Sequence, residues 1–471
     1  MKKPKLLLIN PYIYDFAASD LWLKPLGLLY LAAVLEENGC ETLLLDAMDR
    51  WHPDVLALQG RVSPRTKRYG DGYFYKENVE KPAAFRHIQR HYSRYGLPPE
   101  PMRANLERIK HEHDIDMVLV TSGMTYWYRG VHETIGMTRE IFPDSKILLG
   151  GIYATLFHAY AQRFSGADAV FKGESERSVL QYVSEITGLP VKKQYTGYDD
   201  FPLPAYHLYP KLDYAAMMTS RGCPYSCSFC ATHEFTDTFR RRSPEKVVEE
   251  IEFYAAERKI KDISFYDDAL FVNADKHIKP ILRQVINKHM NVRFHTPNGL
   301  FAKLIDTELA ELLVGSGFKT IRLSYETKNA DRQQQMKKVN DTDLENALAR
   351  LASAGFQRHE AVIYLIMGLP HQSPQEVQDS IDYVHQLGAK VSLSSFSPIP
   401  NTQEWDIAVN EYGFPPDEPL LTNKSVYPLE SELFSTDDFE RLKAMAIDGN
   451  RKIMKPDDKT ELTVSDYNVY A

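Results

Sequence analysis

The chain has 471 residues, 43 % of them hydrophobic, 11 % aromatic and 25 % charged, with a net charge of −8. This composition excludes a disordered or fibrous protein, and it supplies no basic footprint for nucleic acid, which is not an expected partner. The length exceeds what a single hydrophobic core usually serves, so two large domains and a smaller tail are expected. No stretch approaches the ~20 apolar residues of a membrane helix, the longest candidate (26–35) being broken at Glu36-Glu37. The opening Met1-Lys2-Lys3-Pro4-Lys5 leads into only a short apolar run before Asn10-Pro11, too short for a secretory signal, so a cytoplasmic protein is expected.

Residues 5–10, Lys-Leu-Leu-Leu-Ile-Asn, read as a buried strand, and 26–38 as a helix closed by Gly39. A second strand, 42–45, ends at Asp46. A third, 117–121, precedes a Ser122-Gly123 loop and a helix from about Val131. A fourth, 146–149, ends in Gly150-Gly151, and a short fifth, 169–171, ends at Lys172-Gly173-Glu174 before another helix. Strand–helix alternation of this kind builds a parallel, doubly wound sheet that binds ligands at the carboxyl ends of its strands. The loops at Asn10-Pro11, Ser122-Gly123 and Gly150-Gly151 are therefore expected to rim one cleft. Residues 50–102 interrupt the rhythm, are rich in Arg, Lys, Tyr and Pro, and read as an insertion rather than core. Phe201-Pro202-Leu203-Pro204 marks a linker.

From Tyr214 a second alternation begins, with strands at 215–218, 262–265, 292–296, 320–324, 362–367 and 391–395 separated by helical segments. Six βα units are fewer than the eight of a full barrel, so a partial (β/α)6 barrel is expected. A helix comes next, with Ser435-Thr436-Asp437-Asp438 as cap and first turn, and fraying is expected beyond Lys455. The expected organisation is an α/β protein with a doubly wound domain over 1–200, a partial barrel over 201–410 and a helical extension over 411–471.

Three of the four cysteines fall in Cys223-Pro-Tyr-Ser-Cys227-Ser-Phe-Cys230, directly after the first barrel strand and the turn at Arg221-Gly222. Clustered cysteines in a reducing compartment are metal ligands or redox groups more often than disulfides, while Cys40, alone after Gly39, reads as a small buried residue. Three thiolates on an iron–sulfur cluster leave one iron open for a small molecule, which implies chemistry rather than electron storage. A zinc site is the alternative, and it needs a fourth ligand for which His233 is the nearby candidate.

CxxxCxxC with an aromatic, Phe229, before its last cysteine, at the end of barrel strand one, resembles the radical S-adenosylmethionine (SAM) superfamily. The resemblance implies a [4Fe–4S] cluster on Cys223, Cys227 and Cys230 whose open iron chelates SAM, and reductive cleavage of the sulfonium to a 5′-deoxyadenosyl radical. It further implies SAM contacts at the ends of the barrel strands. These are Asp267 and Asp268 after strand two, where the family's usual Gly-Gly-Glu is missing, Ser324 and Glu326 at strand four, and Met367 and Gly368 at strand five, with Asn298-Gly299 a weaker candidate. The pair of domains resembles the cobalamin-binding radical SAM proteins in particular, through 25–32 (Pro-Leu-Gly-Leu-Leu-Tyr-Leu-Ala), 149–155 (Leu-Gly-Gly-Ile-Tyr-Ala-Thr), Gly173-Glu174-Ser175-Glu176 and Phe201-Pro202-Leu203-Pro204. That implies a Rossmann-like, cobalamin-binding first domain whose cleft is lined by Asn10, Ser122, Gly123, Gly150, Gly151 and Glu174. No Asp-x-His-x-x-Gly follows the first strand, so no histidine stands where a lower cobalt ligand would, and Met124-Thr125-Tyr126-Trp127 is the expected lining of that face.

The function these features imply is cobalamin-dependent methylation of an unreactive carbon on a small-molecule or peptide substrate, with an electron donor such as flavodoxin or ferredoxin. Non-methylating rearrangement or cyclisation, and a non-catalytic corrinoid or metal carrier, are the alternatives. Methylthiotransfer is excluded because only Cys40 remains to hold a second cluster. Arg129, Arg322 and the basic residues of the insertion read as solvated or salt-bridged surface groups.

Overall fold

Five short apolar runs become the parallel strands β1 (Lys5–Asn10), β2 (Glu41–Asp46), β3 (Met117–Val120), β4 (Lys146–Leu149) and β5 (Ala169–Val170) in the computed structural model, which describes residues 3–336 and 338–454. Leu6, Leu7, Leu8 and Ile9 are all fully buried, as a strand covered on both faces requires. The spatial order is β2-β1-β3-β4-β5, with every pairing parallel. The chain reverses direction across the sheet between β1 and β3, and ligands of doubly wound sheets sit at that point. Helix Leu26–Glu37 buries Leu28, Leu31, Ala32 and Leu35 against this sheet in one core with Cys40, and Gly39 ends it in a left-handed conformation at φ +102°.

The segment 50–102 is more integral than its composition suggests. Its strands Lys76–Val79 and Tyr92–Tyr95 join Ile13–Asp15 in a small antiparallel sheet over a separate core of Ile13, Met48, Phe74 and Tyr95. Leu97 and Met102 are fully buried, and Met102 lies in helix Pro99–Glu112, the crossover that carries the chain from β2 to β3. The expectation of an insertion outside the core fails at its carboxyl end, because the doubly wound topology needs a helix there and the Arg- and Lys-rich face of that helix masks its buried stripe.

The barrel strands are β6 (Tyr214–Met217), β7 (Asp262–Phe265), β8 (Arg293–His295), β9 (Arg322–Glu326), β10 (Val362–Met367) and β11 (Lys390–Ser395). The short strand Phe318–Thr320 pairs with β8 and the short strand Leu300–Phe301 with β9, so the six lie in two four-stranded parallel sheets, one carrying β6, β7 and β8 and the other β9, β10 and β11. Among the described residues β11 does not pair with β6, and the barrel is a partial (β/α)6. Helix Thr436–Ile453 begins in a capping box between Ser435 and Asp438. The fraying expected beyond Lys455 lies outside the described residues.

The chain divides into two units. The first runs to Leu212 and also takes Glu234–Thr236 and Pro415–Asn423, and the second holds the barrel and the last helix. Within the first unit Thr422 Oγ1 lies 2.5 Å from Thr125 Oγ1, and Asn423 Nδ2 donates to the buried Asp15.

Gly151 and Gly188 separate strain from space. Both have positive φ, but a Cβ on Gly151 would stand 2.2 Å from the Ser122 carbonyl oxygen, whereas nothing lies within 4 Å of one on Gly188. Gly188→Ala is expected to destabilise the protein by about 1 kcal/mol and Gly151→Ala by roughly 3 kcal/mol, read as a graded fall in the urea midpoint.

Candidate cofactor-binding sites

Strand β6 ends at Met217, and a single side chain holds the residues just beyond it. Asp267, 3 % exposed, accepts hydrogen bonds from Thr219 N at 3.1 Å, Thr219 Oγ1 at 2.6 Å and Ser220 Oγ at 2.6 Å. His277 Nε2 lies 2.8 Å from Thr219 Oγ1. Burial pushes the Asp267 carboxyl up, and the Ser220 and Thr219 donors oppose that shift. Ser220–Arg221 then pairs antiparallel with Arg240–Arg241, and Gly222 turns at φ +82°, so that residues 222–239 leave the barrel as one closed loop carrying all three clustered cysteines.

On that loop Cys223 and Cys227 are partly buried and Cys230 is exposed. Burial pushes the Cys223 thiol up to about 11, against the lowering effect of a backbone hydrogen bond from Tyr225, with Cys230, Asp268 and Cys227 adding repulsion. Burial likewise raises Cys227, where Lys338 is the leading opposing influence. Cys230 Sγ lies 3.2 Å from Thr232 Oγ1. Burial thus keeps the Cys223 and Cys227 thiols protonated until an electrophile supplies positive charge. His233 Nε2 lies 3.0 Å from the carbonyl oxygen of Tyr225, on the same loop. Among the described residues no three His, Cys, Asp or Glu side chains converge on a single metal ion. Three sulfurs on one irregular loop, with N–H and O–H groups beside them, fit a cluster that spans several ångströms.

Around these thiols stand residues from other strand ends. Glu326, the last residue of β9, is 6 % exposed and has φ +75°, a strained backbone for a residue with a side chain, at a break in the β9–β10 register. Its Oε1 is 2.8 Å from Lys338 Nζ, and Lys338 also lies 4.9 Å over the ring of Phe301. Phe301 stacks at 4.5 Å on Tyr225 of the cysteine loop. Burial works against the Lys338 charge, but Glu326, ahead of Cys227 and Cys230, outweighs it and raises the lysine pKa. Nothing in the sequence marks Lys338 as functional. It sits in a connection between two helices, and only its place beside the cysteines gives it meaning.

The other expected residues divide. Asp268 opens to solvent, yet the protein around it, and then Asp267, push its carboxyl up, and its charge reaches Cys223. Asp267 is turned inward to Thr219 and Ser220 and presents no free oxygen of comparable kind. Ser324 is buried beneath Gly299, whose Cβ would stand 2.3 Å from Ser324 Oγ, while Asn298 Nδ2 donates to Tyr266 O at 2.9 Å. Met367 is fully buried, and Gly368 turns at φ +90° with its N–H given to Gln372 Oε1. Phe229 is half-buried on the loop. Arg322 departs from the surface role expected of it: it is 3 % exposed and donates to Tyr364 OH at 3.0 Å inside the barrel. Arg129 lies 4.9 Å over the Tyr14 ring.

In the first unit the expected rim forms in part. Ser122 Oγ donates to Gly150 O at 2.7 Å, Ile152 N donates to Ser122 O, and Gly151 closes on Ser122, so the loops after β3 and β4 are one surface. A Cβ on Gly150 would meet only Ser175 Oγ at 4.0 Å, which leaves the backbone there open to a bulky ligand. Asn10 gives its amide to Asp46 Oδ1 at 2.7 Å. Gly123 packs under the Trp127 ring. Glu174 is exposed, and its N–H donates to Phe235 O. Tyr126 is buried, and Trp127 Nε1 donates to Asp15 Oδ2 at 2.8 Å, so both act first as packing for the loop. The open backbone at Gly150 fits a large planar cofactor better than the engaged side chains do, and Gly151 acts by closing the turn on Ser122.

Residues 217–384 match the model of the radical SAM superfamily. Cytidylyl-2-hydroxyethylphosphonate methyltransferase of Streptomyces wedmorensis is 24 % identical over 88 % of this chain and 84 % of its own length. An uncharacterized methyltransferase of Pyrococcus horikoshii is 24 % identical over 67 % of this chain and 74 % of its own. The radical SAM methyltransferase TsrM from Kitasatospora setae, solved with cobalamin and a [4Fe–4S] cluster, shares the fold at a TM-score of 0.64 and 16 % identity, over 97 % of this chain and 92 % of that one.

Replacing the inward carboxylate tests the loop's anchor. Asp267→Asn leaves Thr219 and Ser220 donors facing an amide in a buried site, so a loss of about 2–3 kcal/mol in stability and a clear fall in iron bound after reconstitution are expected, by thermal unfolding and iron analysis.

Proposed function

Because residues 217–384 are a radical SAM domain with Cys223, Cys227 and Cys230 on one loop, we propose that this chain is a cobalamin-dependent radical SAM methyltransferase acting on an unreactive carbon of a small molecule. The observation that carries the proposal is the donor set: three thiols, and no fourth, on a loop anchored at the carboxyl end of a barrel strand beside Glu326 and Lys338. The cofactors supply the chemistry, a radical made by reductive cleavage of SAM and a methyl group carried on cobalt.

The chain's own part is placement and charge. Cys223, Cys227 and Cys230 hold the cluster, with Tyr225 N–H and Thr232 beside the sulfurs. Asp267 fixes the loop's root. Asp268, Glu326 and the backbone at Met367-Gly368 stand at strand ends where SAM's polar groups and adenine would be held, with Ser324 set beneath the Asn298-Gly299 turn. In the first unit Ser122 and Gly150 offer backbone to the corrin, with Asn10, Gly123, Gly151 and Glu174 in the same loops. Four cysteines leave no ligands for a second cluster, so the electron comes from an outside donor such as flavodoxin or ferredoxin.

Several named relatives support the methyl-transfer reading. The Streptomyces relative is named a methyltransferase, and TsrM has been solved with tryptophan as substrate and a SAM analog bound. No helix of the described residues is long and apolar enough to cross a membrane.

The test is anaerobic. Protein reconstituted with iron, sulfide and cobalamin, reduced with dithionite and given SAM is expected to show corrinoid absorbance and to release S-adenosylhomocysteine or 5′-deoxyadenosine. The Cys223→Ala/Cys227→Ala/Cys230→Ala variant is expected to keep the corrinoid and lose both products. Absence of corrinoid binding overturns the cobalamin reading, and zinc in place of iron in protein isolated from cells, with no cluster reconstituted, overturns the whole.

A further inference from the structure

Burying an ion pair is a poor way to stabilise a barrel, because desolvation cancels most of the attraction and an apolar pair of the same size would serve as well. Lys338 and Glu326 are nonetheless paired at 2.8 Å with their side chains 12 % and 7 % exposed. The connection that carries Lys338 is braced: Gln333 Nε2 donates to Asp341 Oδ1 at 2.7 Å, Tyr325 OH also donates to Asp341, and Asn340 caps the next helix in a capping box with Asp343. Tyr325 directly precedes Glu326, so a single network sets both partners of the pair. The lysine's other face lies over Phe301, which stacks on Tyr225 between Cys223 and Cys227. The ammonium is thus held by Glu326 over Phe301, one stacked ring away from Tyr225 of the cysteine loop.

We propose that Lys338 sets the charge at the cluster, raising its reduction potential, and that Glu326 moderates the effect. The inference rests on the cluster assignment made above. In the step concerned, a one-electron donor such as dithionite is oxidised and the cluster core takes up that electron without a proton, going from its 2+ to its 1+ state. The site, which already holds three thiolates, gains one more negative charge. A fixed cation favours the reduced state, and a fixed carboxylate disfavours it. The pair therefore acts as a charge-setting unit whose two members have opposite signs of effect.

The experiment is a redox titration of the reconstituted cluster without SAM, monitored by electron paramagnetic resonance, with iron and sulfide measured for each variant. Lys338→Met is expected to lower the ratio of reduced to oxidised cluster about tenfold at fixed ambient potential, a shift of about 59 mV for one electron. Glu326→Gln is expected to raise that ratio severalfold, Lys338→Arg to leave it near wild type, and the Lys338→Met/Glu326→Gln double variant to return it to within about threefold of wild type. A Lys338→Met protein with full cluster content and an unchanged ratio overturns the inference alone. If Lys338→Met assembles no cluster, Glu326→Gln decides, and an unchanged or lower ratio there overturns it. A wild-type protein that builds no cluster overturns the cluster assignment and this inference together.

Discussion

The cysteine loop depends on a carboxylate that never faces it. Asp267 leaves the end of β7 and turns back under β6, where it accepts from Thr219 and Ser220, and the loop begins three residues after Thr219. Hydrogen bonds to a buried charged acceptor are worth more than neutral ones, and leaving the donors without it costs the full desolvation of each. The strands of the barrel are positioned by burial, as Ile263, Phe265 and Phe294 show, but burial alone does not tell an irregular loop where to start. That task falls to a polar contact between neighbouring strand ends.

Around the thiols, charge is arranged to be felt rather than to stabilise. Burial raises Cys223 and Cys227, and the groups that oppose it are a backbone N–H at one and an ammonium at the other. Glu326 holds a left-handed backbone at the end of a strand, a conformation costing about 1–3 kcal/mol that persists only where neighbours impose it. Strain and an ion pair on the same residue, beside the only three cysteines that lie together, mark the place where the fold departs from packing for its own sake.

Much of this is legible in the sequence because it is local. Three cysteines within eight residues declare themselves without any fold, and the apolar runs of β1, β7 and β10 stand out because strands buried on both faces have no polar alternation to confuse them. Where contact is made across the chain, far less can be read from residue order. Asp267 and Asp268 read as one motif, yet one points inward and the other outward, which reflects the pleat and what Thr219 offers. Lys338 stands twelve residues beyond Glu326 in a connection with no periodicity. Arg322 looks like a surface residue until β9 is closed between its neighbours and its guanidinium finds Tyr364. The helix Pro99–Glu112 is hidden because a crossover helix on the outside of a sheet needs only a narrow apolar stripe.

The first unit's inclusion of Pro415–Asn423 bears on the order in which the protein is made. Thr125 and Asp15, whose partners include Thr422 and Asn423, are translated some three hundred residues or more before those partners leave the ribosome. A nascent chain usually folds its leading domain while the rest is still being synthesised. Here the sheet can assemble early, but the loop from Ser122 to Trp127 waits, its last pieces arriving only after the whole barrel has been translated. The unit that comes first in sequence is completed only after the strands of the barrel have been made.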